Sequence, residues 1–192
     1  MKKPLYRKRA EESDSDDDSD NIKCVHNNIY FYCNVSRKSV LKLVELLEEV
    51  QQKILKWDMK ENDINVYIQS DGGDLFAGIS AMNYIENMEV CVNTLIDGFA
   101  ASAATIIALG GHRVYMHKYA TLLIHQISTG FIGKFEDFMD EAKNSKYTMD
   151  TVKSIYNDKT DIPDSKMVEY LKKDIYISAD TCLKYKIVDV IY

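Results

Sequence analysis

The sequence predicts one α/β domain built on a largely parallel sheet, and three observations support this prediction. From about residue 28 onward, short apolar strand patterns alternate with amphipathic helix patterns. Helical stretches follow several of the strands, as the crossover connections of a parallel sheet require. With 192 residues, 46% of them hydrophobic, the chain can bury one ordinary core and is too short for two full-sized domains.

The first part of the pattern consists of three strand and helix pairs. A helix over residues 36–57 is indicated by apolar residues that recur on one face, and the glycine pair at 110–111 is a typical helix stop. The predicted strands cover residues 29–33, 64–68 and 90–96, and the predicted helices cover residues 36–57, 75–87 and 100–109.

The second part has shorter strands and one long helix. Residues 134–157 show apolar residues near helical spacing between Gly133 and Pro163, which predicts a helix. Its Phe135, Phe138, Met139 and Tyr156 form more apolar surface than a protruding helix leaves exposed, which predicts a homo-oligomer. The other predictions are strands over residues 113–116, 121–125, 175–177 and 187–191, and helices over residues 164–171 and from about residue 179.

Charge divides the chain into a tail over residues 1–22 and a domain over residues 23–192. Residues 1–10 carry five Lys or Arg and residues 11–20 carry seven carboxylates, so the tail has a net charge of −2. The total is −6, and the rest of the chain therefore carries −4. Such a tail has almost nothing to bury and is expected to be disordered. The acidic body argues against nucleic-acid binding, and the lack of a long apolar run argues against a membrane span or a secretory signal.

The four cysteines indicate a reducing compartment, and the cytoplasm fits best. They are scattered along a chain that has enough core to fold without disulfides. Cys24, His26 and Cys33 resemble half of a zinc site, but no second ligand pair follows at suitable spacing. The sequence therefore predicts no metal and no other cofactor in this chain.

Two loops at predicted strand ends are candidates for chemistry, since active sites of parallel sheets lie where strands end and helices begin. One contains Gly72 and Gly73, and the other leads from Gly98 to Ser102 at the start of a predicted helix. The positive end of that helix would favour a nucleophile, although a serine among alanines also permits close helix packing. His125 ends an apolar strand pattern and could equally be a hydrogen-bonded histidine of the rim, while paired glycines often only form a turn.

From about Ile29 to Tyr192, the sequence resembles the Clp-type ATP-dependent serine peptidases. The similar segments are Val66-Tyr-Ile-Gln-Ser-Asp-Gly-Gly73, Gly98-Phe-Ala-Ala-Ser102-Ala, Leu123-Ile-His125-Gln126, Asp174-Ile-Tyr-Ile-Ser-Ala179 and Tyr185-Lys-Ile-Val-Asp189. They occur in the same order as in that family. The resemblance implies the fold shared with crotonases, with a protruding handle helix at about residues 130–160.

The resemblance also implies the site residues. Ser102 would be the nucleophile, His125 the general base and Asp174 the residue that orients the imidazole. The backbone N–H groups of Gly73 and Ala103 would form the oxyanion hole, and substrate would add as a strand beside Gly72, Gly73, Thr129 and Gly130. Spacing alone does not select the acid, because other carboxylates follow the histidine: Asp150, Asp158, Asp161, Asp164 and Asp180.

The family further implies an assembly and a partner. Its members form rings, here expected to be heptameric and able to stack in pairs through the handle, and an AAA+ unfoldase uses ATP to deliver unfolded polypeptides. Lys173 stands where the family has an arginine that contacts the stacked ring, and the acidic tail replaces apolar N-terminal loops. Ring stacking and unfoldase docking therefore stay open at this point, whereas no triad side chain is missing.

Three alternatives remain beside the endopeptidase. A catalytically inactive or regulatory ring subunit would assemble with an active paralogue. An enzyme of the signal-peptide-peptidase type would use a lysine base and a membrane anchor. A crotonase-like acyl-transfer enzyme would use the glycine N–H groups to hold a thioester oxygen, which would leave Ser102 and His125 without a shared role.

Overall fold

The computed structural model describes residues 21–57 and 62–192, so the first twenty residues of the predicted tail lie outside the described residues. The strands in these two ranges are β1 (Ile22–Val25), β2 (Asn28–Phe31), β3 (Ile64–Ser70), β4 (Val92–Ala101), β5 (Arg113–Met116), β6 (Thr121–Leu123), β7 (Tyr176–Ser178) and β8 (Val190–Ile191). The helices are α1 (Arg37–Trp57), α2 (Leu75–Glu86), α3 (Ala103–Ala108), α4 (Phe135–Lys159), α5 (Asp164–Lys172) and α6 (Ala179–Lys184).

All of these strands belong to one sheet. Its main path runs β1-β2-β3-β4-β5-β8, while β6 pairs with β4 and β7 pairs with β6. The β1–β2 and β6–β7 pairs are antiparallel, and the other pairs are parallel. The predicted α/β class with a largely parallel sheet is confirmed.

Strand β4 is longer than the sequence predicts, and its first and last parts pair with different strands on one side. The turn-like Asp97-Gly98 pair predicts an end at residue 96, whereas the strand continues to Ala101. Up to Ile96 it pairs with β5, and its last three residues pair with β6. Because β6 supplies hydrogen-bond partners where β5 ends, backbone pairing outweighs the turn preference of Asp97 and Gly98. The end of β4 is therefore held between β3 and β6.

Helix α1 packs against strands β1, β2 and β3, and α2 packs against α1 and α3. The N-terminus of α2 is fixed by Asp74, whose Oδ1 accepts hydrogen bonds from the N–H groups of Phe76 and Ala77 at 2.9 and 3.1 Å. This cap places α2 directly after the paired glycines. Helix α1 buries the apolar face that its periodicity predicts: Leu43, Leu47, Val50 and Ile54.

Helix α4 packs on the core through its C-terminal half only. Its buried residues are Val152 and Tyr156, whereas residues 131–140 are all exposed. Phe135 and Phe138 are 72% and 56% exposed, as expected for a protruding helix. The sequence predicts Tyr156 as part of the same exposed surface, but only 2% of it is exposed, and its hydroxyl contacts Thr105 of α3.

Strand β1 is absent from the sequence prediction. It pairs with β2, and its first residue, Ile22, is buried opposite Phe31. Four residues with one lysine among them give too short a pattern to be recognised as a strand. The predicted boundary after residue 22 therefore falls inside a strand, and the domain includes Ile22.

Within residues 21–57 and 62–192, no helix is long and apolar enough to span a bilayer. In the same part of the chain, no three His, Cys, Asp or Glu side chains are grouped as metal ligands. Burial raises the pKa of the Cys182 thiol to about 12, so this thiol stays protonated near neutral pH and serves as a packing group.

Candidate active site

Ser102 lies in a strained turn between β4 and α3. Its φ of 55° and ψ of −126° are unusual for a residue with a side chain and cost about 1–3 kcal/mol. The Ser102 N–H donates to the Leu123 carbonyl at 2.9 Å, which ties the turn to the end of β6. Sharp strand-to-helix turns of this kind expose a nucleophilic serine at a sheet edge, and Ser102 is partly exposed.

Strand register brings His125 and Asp174 to the same edge of the sheet as Ser102. Strand β6 runs parallel to β4, with the last residue of one opposite the last residue of the other, so His125 follows beside the serine turn. Strand β7 runs antiparallel to β6 and pairs Tyr176 with Leu123. Asp174 lies two residues before β7 and His125 lies two residues after β6, so both residues belong to segments that adjoin these paired strand ends. The segments that adjoin the ends of three neighbouring strands thus supply the three predicted residues.

The three side chains are not joined to one another. His125 Nδ1 lies 2.6 Å from the Gln126 carbonyl oxygen, and Asp174 is exposed. Among the residues that the structure describes, no hydrogen bond or ion pair connects Ser102, His125 and Asp174. The backbone brings the segments of the three predicted residues to one edge of the sheet, but their side chains form no hydrogen-bonded triad.

Two of the carboxylates that the sequence leaves open have other partners. Asp150 lies on α4, 2.7 Å from Lys146 Nζ, and the hydrogen bond from Lys146 holds the pKa of Asp150 below its usual value. Asp161 lies 2.6 Å from Lys186 Nζ. Neither lies on the strand beside β6. Asp174 lies two residues before β7, the strand that pairs with β6.

The two N–H groups predicted to form an oxyanion hole have no acceptor within the described residues. Gly73 is bridged to Val35, but the bonds of this bridge run from Val35 N–H to the Gly72 carbonyl and from Asp74 N–H to the Val35 carbonyl. The Gly73 N–H therefore takes no part in the hydrogen bonds of this bridge. Ala103 is the first residue of α3, where an N–H has no acceptor within the helix. Both groups thus lack a protein acceptor, as the donors of an oxyanion hole must.

Gly72 brings the glycine loop against the serine turn. A Cβ built on Gly72 would lie 2.6 Å from the Ala101 oxygen, 2.7 Å from Ser102 Cβ and 3.2 Å from Ala103 N. Its φ of 93° also favours glycine. A side chain has no room here, so the glycine permits a close approach between the two loops and does more than form a turn.

The predicted substrate-binding residues lie on two sides of β4. Strands β3 and β6 flank β4, and Gly72 and Gly73 follow β3. Thr129 and Gly130 lie in the exposed segment between β6 and α4. Thr129 Oγ1 donates to Glu141 Oε1 at 3.1 Å, which ties this segment to α4. The two segments therefore follow strands on opposite sides of β4.

The sequence analysis missed Thr105, which stabilises the serine turn through hydrogen bonds to the Ser102 carbonyl. Its Oγ1 donates to the Ser102 carbonyl at 2.6 Å, and its N–H donates to the same oxygen at 3.0 Å. The side chain is fully buried. A threonine inside the otherwise apolar helix α3 is the only sequence signal for this role.

The chain is similar to known proteolytic subunits. A family model described as Clp protease matches residues 25–192. The ATP-dependent Clp protease proteolytic subunit of Deinococcus radiodurans is 29% identical over 131 residues, which cover 67% of this chain and 64% of that protein. The ATP-dependent Clp protease proteolytic subunit 2 of Bacillus licheniformis is 27% identical over 143 residues, which cover 73% of this chain and 75% of that protein.

A solved structure supports the same fold. A mutant of ClpP1 from Listeria monocytogenes matches with a TM-score of 0.74 and 19% identity, over 87% of this chain and 91% of that chain. At this identity the likeness concerns the fold alone. The family model, in contrast, covers most of the sequence, including the serine turn and the strands around it. The chain therefore belongs to the Clp protease family.

Proposed function

We propose that the chain is a proteolytic subunit of a Clp-type, ATP-dependent serine endopeptidase, with Ser102 as its nucleophile. The observation that carries this proposal is the strained turn at Ser102, which packs against the glycine loop and is hydrogen-bonded to Leu123, two residues before His125. Strain of this kind persists only where surrounding structure maintains it, and it is concentrated at reactive sites. Relatives of the chain carry the name of such subunits.

In the proposed reaction, Ser102 Oγ attacks the scissile carbonyl carbon and its proton passes to His125 Nε2. The carbonyl oxygen becomes negative and accepts hydrogen bonds from the N–H groups of Gly73 and Ala103. The C–N bond breaks as His125 gives the proton to the leaving amine, which leaves an acyl group on Ser102. A water molecule, deprotonated by His125, then releases the acid and restores the serine.

The contact between His125 and Gln126 bears on the first proton transfer. A carbonyl oxygen only accepts hydrogen bonds, so in the neutral imidazole the 2.6 Å contact corresponds to a proton on Nδ1 and leaves Nε2 as the acceptor. This is the tautomer that a general base for Ser102 needs. In the active arrangement, we expect Nδ1–H to turn from the Gln126 carbonyl to Asp174, because a carboxylate stabilises the imidazolium better than a neutral carbonyl.

The proposed assembly is a heptameric ring that can stack into a double ring through α4. The exposed Phe135 and Phe138 on the free half of α4 support this part of the proposal. Active sites would face an enclosed chamber, and a partner AAA+ unfoldase would use ATP to thread polypeptides into it. The chain itself would need no cofactor.

One observation favours a second function, that of an inactive or regulatory ring subunit. Among the described residues, the side chains of Ser102, His125 and Asp174 make no hydrogen bonds to each other. A subunit of this kind would assemble normally and leave catalysis to a paralogue. It would fail to cleave peptides on its own, whereas the endopeptidase would cleave them.

The test is peptide cleavage by the purified, assembled chain. We expect slow hydrolysis of a short fluorogenic peptide and no degradation of a stably folded protein, because only the peptide can diffuse into an enclosed chamber. Ser102→Ala should abolish hydrolysis, and Ser80→Ala, on the exposed face of α2, should retain it. Absence of hydrolysis in the unsubstituted assembly would favour the inactive subunit, and digestion of the folded protein without ATP would contradict the chamber.

A further inference from the structure

A buried contact joins α4 to α3, the helix that follows the serine turn, between two residues that are 51 positions apart in the sequence. The hydroxyl of Tyr156 on α4 lies in hydrogen-bond contact with Thr105 Oγ1 on α3. Both side chains are buried, and Tyr156 and Val152 are the buried residues of α4 within the described chain. The buried end of α4 therefore contacts Thr105, which in turn is hydrogen-bonded to Ser102.

Counting protons fixes the direction of this contact. Thr105 has one hydroxyl proton, and its Oγ1 donates that proton to the Ser102 carbonyl at 2.6 Å. The contact with Tyr156 must then be donated by the tyrosine. Burial raises the pKa of Tyr156 to about 12, so the tyrosine keeps its proton near neutral pH. The resulting chain runs from Tyr156 through Thr105 to the carbonyl of Ser102.

We infer that Thr105 and Tyr156 are positioning residues for Ser102. Together they connect the buried part of α4 to the backbone of the serine turn. The inference rests on the proposed function. The direction of the Ser102 carbonyl is set by its ψ, which at −126° belongs to the strained turn. A hydroxyl that holds this carbonyl opposes relaxation of the turn, and a small displacement of a nucleophile costs much of its rate.

The experiment compares variants that remove single hydroxyls from the full chain in its assembled form. Thr105→Val and Tyr156→Phe keep the shape of the side chain and each remove one member of the hydrogen-bonded chain. We expect kcat for a short peptide to fall about ten-fold while KM changes less than about two-fold, because ground-state binding does not use these groups. Thr105→Ser should restore kcat, since it returns the hydroxyl.

A double variant tests whether the two residues act in series. Thr105→Val with Tyr156→Phe should lower kcat no further than Thr105→Val alone, because Tyr156 reaches Ser102 only through Thr105. An additive loss of kcat would overturn the inference. So would retention of the unsubstituted kcat in both single variants.

Thr94→Val is the matched control for loss of stability. Thr94 Oγ1 is also buried and donates to a carbonyl of α3 at 2.6 Å, but the acceptor is Ala108 at the far end of that helix. We expect a loss of unfolding free energy similar to that of Thr105→Val and no loss of kcat. An equal fall of kcat in Thr94→Val would overturn the inference. If the unsubstituted assembly cleaves no peptide, the proposed function fails and this inference fails with it.

Discussion

Replacing Asp174 with asparagine should lower kcat for short-peptide cleavage by about 10²–10⁴-fold while the assembly stays intact. The amide keeps the size of the carboxylate, but it cannot stabilise the imidazolium that forms on His125 and it favours the wrong tautomer. His125→Ala should lower kcat by about 10⁴–10⁶-fold, since it removes the base itself. Initial rates on fractions of equal particle size measure both effects.

Asp180→Asn provides the matched control for this prediction. Asp180 is an exposed carboxylate in the first turn of α6, six residues beyond Asp174, and it should retain the unsubstituted kcat. Full activity in Asp174→Asn would contradict the assignment of Asp174. It would show that another group orients the histidine, and the Gln126 carbonyl, 2.6 Å from His125 Nδ1, would be the first candidate.

Replacing both Phe135 and Phe138 with serine should dissociate the stacked assembly. The two side chains lie three residues apart on the free half of α4 and are 72% and 56% exposed. Aromatic anchors of this kind commonly contribute about 2 kcal/mol or more each when an interface buries them. We expect sedimentation velocity at micromolar concentration to show a smaller particle for the double variant than for the unsubstituted chain.

Tyr119→Ser is the control for general surface effects. Tyr119 is 88% exposed in the turn between β5 and β6 and should sediment as the unsubstituted chain does. If the double variant kept the full particle size, α4 would not be the stacking element. A monomeric unsubstituted chain at the same concentration would contradict the proposed homo-oligomer altogether.

Local patterns were sufficient to predict most elements of the fold. Helix α1 follows from apolar periodicity on one face, and the strand at residues 113–116 has the bounds that its apolar pattern indicates. What the patterns could not predict depends on partners distant in sequence. Strand β4 extends past Asp97 because β6 pairs with its last residues. Strand β1 forms because its backbone pairs with β2.

The candidate site shows the same division. Ser102 could be identified as a candidate from its place after a glycine-opened turn, whereas the choice of Asp174 needed the family resemblance, because several carboxylates follow His125. The structure adds the pairing of β6 with β7, which brings the segments that carry His125 and Asp174 to the same edge of the sheet. The bond between Thr105 and Tyr156 was beyond sequence reasoning, since no periodicity links residues on two helices that meet only in the folded chain.

The central claim is that Ser102 is an activated nucleophile, and a serine-directed phosphonate tests it most directly. Intact-mass measurement of the treated assembly should show one adduct per chain, and peptide mapping should place it on Ser102. Ser102→Ala should show no adduct under the same conditions. Equal labelling of the alanine variant, or no labelling of an unsubstituted assembly of verified size, would contradict the claim.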